Sequence, residues 1–106
     1  MTDNEATRGP LNAHKRILVV EDSLVQAEMM LRLLERQDFD VFIAHDGIQA
    51  LEVLGRQTMD MVITDVNMPR MNGIQLCEAI RQDNQLRDLK VIIVTMLSDP
   101  QDVLSS

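Results

Sequence analysis

The 106-residue chain has no tryptophan, no tyrosine and only two phenylalanines, Phe39 and Phe42. Aliphatic side chains and the eight methionines must therefore fill any core it forms. A single cysteine, Cys77, excludes an internal disulfide and fits a reducing compartment. No apolar run approaches the ~20 residues of a membrane span, and the acidic, polar start "MTDNEATRGP" is unlike a signal peptide. Basic residues are few: ten Lys and Arg stand against seventeen Asp and Glu, a net charge of −7. That balance argues against direct contact with nucleic acid, whose phosphates call for Lys and Arg. What remains is an acidic domain expected in the cytoplasm, with no membrane association and a 45% apolar content that suits a folded core.

Residues 1–15 are rich in Thr, Asp, Asn, Gly and Pro and offer little to bury, which reads as a disordered lead-in to a single domain over 16–106. "RILVVE", beginning at Arg16, is a continuous apolar run of strand length, the pattern of a strand covered on both faces. "SLVQAEMMLRLLERQ" follows with Ala27, Met30, Leu31 and Leu34 on one helical stripe and Ser23 as its N-cap. Asp40 to Ala44 predicts a second strand. A second helix carries Ile48, Leu51 and Leu54, with Asp46 as cap and Gly55 near its end. "DMVITD" is the third strand, "GIQLCEAIRQD" a third helix with Ile74, Cys77 and Ile80 in register, and Lys90 to Met96 the fourth strand. "SDPQDVLSS" starts a fourth helix, with Pro100 in its first turn.

Strands alternating with helices imply right-handed crossovers and an α/β, doubly wound parallel sheet. In such sheets ligands bind beyond the carboxyl ends of the strands. Those ends carry Glu21 and Asp22 on the first strand, Asp65 on the third and Thr95 on the fourth. Three carboxylates brought together repel one another unless a cation joins them. Hard oxygen ligands suit Mg²⁺, with Mn²⁺ as an alternative. A strand-tip Asp beside such an ion can accept a phosphoryl group, and Met68-Pro69 then turns the chain while Gly73 permits close backbone approach.

"VVEDS", "VITDVNMPRMNG" and "VIIVT" resemble the receiver domain of response regulators, the CheY-like phosphoacceptor of two-component signalling. The spacing of Asp22, Asp65 and Thr95 agrees as well. The resemblance covers Arg16 to Ser106 and implies a flavodoxin-like sheet of order 2-1-3-4. It implies that Asp65 takes a phosphoryl group from a phosphohistidine on a histidine kinase or histidine phosphotransfer protein. Glu21, Asp22, Asp65 and the main-chain carbonyl of Asn67 would hold Mg²⁺. Thr95 would be the switch hydroxyl, read by a partner or an output domain; the module would be a switch and not a turnover enzyme. Met96 stands where the family usually has a small residue, so it is expected to narrow access to the pocket.

The family's fifth strand, with its Lys, and fifth helix have no counterpart before Ser106. The expectation is a truncated form, whose fourth strand becomes an apolar edge open to dimerisation or strand exchange. A phosphorylation-incompetent interaction module on the same scaffold is the alternative function. An aspartyl-nucleophile phosphatase of the haloacid-dehalogenase type is disfavoured, because Asn67 occupies the place of its second Asp. Of the remaining residues, His14 and His45 are expected at the surface and Cys77 as buried filler. Met30 and Met61 are expected in the core, and Met68 and Met71 packed within the turn.

Overall fold

The computed structural model describes residues 15–94, and seven elements follow one another there in strict alternation. They are β1 (Arg16–Val20), α1 (Leu24–Glu35), β2 (Asp40–Ala44), α2 (Gly47–Arg56), β3 (Met61–Asp65), α3 (Gly73–Gln82) and β4 (Lys90–Val94). All strand pairs are parallel, in the order β2-β1-β3-β4. The α/β fold and its strand order are thus those expected. The fourth helix, Thr95 and Met96 lie outside the described residues, as do His14 and almost all of the expected lead-in.

β1 and β3 occupy the middle of the sheet, which is why their sequences are unbroken apolar runs. One face gathers Leu18, Val20 and Val62 under α2 and α3, with Ala50, Leu54, Leu76 and Ile80 buried against them. The opposite face sets Ile17, Val19 and Ile63 beneath α1, through Met30 and Leu34. Met61 packs on this second cluster and Met68 and Met71 on the first, each only partly buried. Phe42 adds one ring to the first layer and Phe39 one to the second, and branched aliphatics and methionine fill the rest.

Each helix start is fixed by a side chain. The hydroxyl of Ser23 accepts the Gln26 N–H at 3.3 Å, and Asp46 Oδ1 accepts the Gln49 N–H at 2.9 Å. Asn72 and Gln75 form a reciprocal capping box, each side chain accepting the other's backbone N–H, at 2.8 and 3.0 Å.

The phase of α3 differs from expectation. Leu76 and Ile80 are fully buried, whereas Ile74 is 51% exposed and Cys77 is only half-buried. The cause lies at the helix start. The capping box begins the helix at Gly73, whose bare Cα abuts the carbonyl of Asp65, so residues 73, 76 and 80 face the sheet. Ile74, one position on, turns about 100° away. α1 also exposes Leu24, Val25, Met29 and Leu33, and β4 exposes Ile92 and Ile93.

Candidate functional site

The register of the sheet assembles the site. Val20 of β1 is level with both Ala44 of β2 and Thr64 of β3. Glu21 and Asp65 therefore leave the sheet side by side at its carboxyl edge. The Glu21 N–H continues the ladder to the Ala44 carbonyl at 2.9 Å, which holds the acid in line. One oxygen each from Glu21, Asp22 and Asp65 lies within 4.8 Å of the others. Glu21 and Asp65 are buried, at 1% and 2% exposure, while Asp22 opens to solvent.

Glu21 is only partly compensated. Glu21 Oε2 accepts the Ser23 N–H at 2.9 Å, but Oε1 is buried with no hydrogen-bond partner among the described residues. Burial is the main cause that raises the Glu21 pKa from 4.5 to about 7, with the Asp65 and Asp22 charges adding to it. The Ser23 N–H opposes them by favouring the ionised form. Asp65 Oδ1 accepts the Val66 N–H at 2.7 Å, and the buried Thr64 hydroxyl donates to the Asp65 carbonyl at 2.9 Å. An oxygen-only donor set with one orphaned buried carboxylate oxygen suits a hard divalent cation.

After Asp65 the chain crosses residues 66–72 and re-enters the fold at α3. The Gly73 N–H closes this loop onto the Val66 carbonyl at 2.9 Å. Arg70 adopts φ 68°, the left-handed region. Its Nε and Nη2 both donate to Asp46 Oδ2, at 2.9 and 2.7 Å, so the loop is tied to the cap of α2.

The sequence profile of the response regulator receiver domain matches residues 17–106. The chain belongs to this family. The receiver is 36% identical over 80 residues to response regulator MprA of Mycobacterium ulcerans, a match covering 76% of this chain and 34% of that protein. It thus spans about a third of the length of such a relative. The receiver domain of a signal transduction histidine kinase from Syntrophus aciditrophicus superposes with a TM-score of 0.75 at 39% identity, covering 85% of this chain and 68% of that one. The receiver domain of sensor histidine kinase PA1611 from Pseudomonas aeruginosa, solved with magnesium in its active-site cleft, gives a TM-score of 0.74 at 30% identity. That match covers 78% of this chain and 68% of the other.

The receiver thus brings together the three carboxylates expected at its strand tips, and Asn67 lies exposed two residues beyond Asp65. Two neighbours of the site went unread in the sequence. His45, expected as a plain surface residue, is half-buried and has Nδ1 3.3 Å from the Glu21 carbonyl. Arg70 pairs with Asp46, a contact that spans 24 positions and two loops. A signal for the cap of α3 did exist: Asn72-x-x-Gln75 has the spacing of a capping box.

Proposed function

We propose that this receiver is a phosphoacceptor switch in a two-component relay, with Asp65 as the acceptor. The observation that carries the reading is the trio of Glu21, Asp22 and Asp65, with a buried oxygen on Glu21 that has no partner among the described residues. In the proposed step an Asp65 carboxylate oxygen attacks the phosphorus of a phosphohistidine. The P–N bond breaks, its electron pair stays on the imidazole nitrogen, and an aspartyl phosphate forms. Glu21, Asp22, Asp65 and the Asn67 carbonyl would hold Mg²⁺, which neutralises phosphoryl oxygens when bound. Asp65 is oriented by the Val66 N–H, which donates to its Oδ1 at 2.7 Å. Thr95 is proposed as the switch hydroxyl that follows the new phosphoryl group, and Met96 as a side chain that narrows its approach.

On this reading the protein acts in the cytoplasm as a switch, promoting only its own phosphorylation and dephosphorylation. Its donor is a histidine kinase or histidine phosphotransfer protein, and its reader is a partner or an attached output domain. Incubation with Mg²⁺ and a small phosphodonor, followed by intact-mass measurement, tests it. One added phosphoryl group is expected, and none in Asp65→Asn; equal labelling of the two proteins sinks the assignment of Asp65.

A second reading, an interaction module without phosphoryl chemistry, has its own observation. β4 stands at the edge of the described sheet with Ile92 41% and Ile93 38% exposed. It predicts a stable dimer and no mass shift.

A further inference from the structure

Residues 66–72 carry Asn67, so the contacts that hold this loop bear on where Asn67 lies. The contacts that hold it include two backbone hydrogen bonds and an ion pair. The Gly73 N–H donates to the Val66 carbonyl at 2.9 Å, and the Gly47 N–H donates to the Met71 carbonyl at 3.2 Å. The third tie is the fork of Arg70 on Asp46 Oδ2. Asp46 divides its work between its oxygens: Oδ1 caps α2 through the Gln49 N–H, and Oδ2 receives Arg70.

Arg70 occupies backbone space that disfavours a residue with a side chain, so the tertiary contact must compensate for that conformation. Pro69 stands directly before it with its own φ fixed, which stiffens the link back to Met68 and Asn67. Met68 and Met71, on either side, seat the loop on the core. Holding Arg70 therefore restrains the loop as a unit.

We infer that the Asp46–Arg70 pair is a latch that positions the loop bearing Asn67 for cation binding at the acidic pocket. The inference rests on the Mg²⁺ reading above and adds Asp46 and Arg70 as positioning residues, neither of which touches the ion. The loop is preorganised by α2, so the entropy of ordering it is spent on folding and not on binding.

The test is a double-mutant cycle on the full chain, with Arg70→Gln, Asp46→Asn and the pair combined. Asn is as good an N-cap as Asp, so Asp46→Asn keeps the α2 cap and loses only the latch. Mg²⁺ dissociation constants come from calorimetric titration, and unfolding midpoints are taken in chelator. Each single variant is expected to raise the Mg²⁺ Kd by about threefold to fivefold, the size a partly exposed ion pair can transmit. The double variant should be no weaker than either single, and Arg70→Lys should recover part of the affinity.

The signs separate a latch from a mere charge effect. Losing a nearby positive charge would tighten Mg²⁺ binding, and losing a negative one would weaken it, so opposite shifts overturn the latch. Unchanged Kd values with lowered midpoints also overturn it, because the pair is then only structural. Failure of the underlying reading looks different: the wild type either binds no Mg²⁺ or binds it as well with Asp65→Asn as without, and the latch falls with it.

Discussion

Gly73 rests its bare Cα against the main-chain carbonyl of Asp65, and no Cβ fits between them. The first residue of α3 is thus packed on the last residue of β3, and the loop that joins them must fold within that constraint. Gly73→Ala has to push the two apart. We expect a loss of about 1–3 kcal/mol in urea unfolding, the scale of overpacking a filled site. Labelling of Asp65 by a small phosphodonor should fall in parallel. A variant that labels and unfolds like the wild type would show that the contact is slack.

The buried Glu21 carboxyl makes stability depend on pH when no cation is bound. The folded chain keeps the Glu21 proton up to about pH 7, the unfolded chain only to about its ordinary 4.5. Between those values the folded state binds the extra proton, so this contribution to stability is full below 4.5 and is lost as pH rises through about 7. Mg²⁺ competes with that proton, so its stabilising effect should grow over the same window. Thermal unfolding from pH 4.5 to 8, in chelator and in Mg²⁺, reads both trends. Glu21→Gln should flatten the chelator curve; an equally steep curve in that variant assigns the slope to another group.

The phase of α3 is open to a paired truncation. Leu76 is fully buried and Ile74 half exposed on the same helix. Leu76→Ala should cost about 2–5 kcal/mol and Ile74→Ala within about 0.5 kcal/mol. Comparable losses at the two positions would mean that the helix is rotated from the orientation described.

The capping box makes a smaller claim. Asn72→Ala removes the acceptor for the Gln75 N–H and should cost about 1 kcal/mol. Gln75→Ala should cost less, because the Asn72 N–H it serves lies at an exposed helix end. Equilibrium denaturation ranks the two, and the reverse order would place the weight of the motif on Gln75.

Met96→Ala addresses access to the pocket. If Met96 narrows the approach to Asp65, the alanine variant labels faster with a small phosphodonor at equal Mg²⁺. An unchanged rate removes Met96 from the account.

How much of this was legible beforehand follows the range of the interactions. The strand tips were readable because an apolar run must stop where the sheet ends, and Asp65 with its Met68-Pro69 turn marks that stop. The convergence of Glu21 and Asp22 with Asp65 followed from the ligand-binding edge of parallel sheets. Gly73 was readable too, since a glycine just before a helix signals close backbone approach. The rotation of α3 was not, because Ile74, Cys77 and Ile80 make a plausible stripe and only the cap chooses between it and Gly73, Leu76 and Ile80. Arg70 gave no local sign at all: its partner Asp46 is brought to it by the packing of two loops, and nothing in the spacing announces the pair.

The levels at which β1, β2 and β3 pair have a consequence for quality control. Side chains alternate along a strand, so sliding β3 by a single residue would move Val62 and Ile63 each out of its own layer and into the other. The same slip would present Thr64 where Asp65 now stands. The core and the acid cluster thus share one alignment, and a misaligned chain forfeits both together. A mispaired chain is then both loosely packed and without its acid cluster, so the core and the cluster occur in the same molecules.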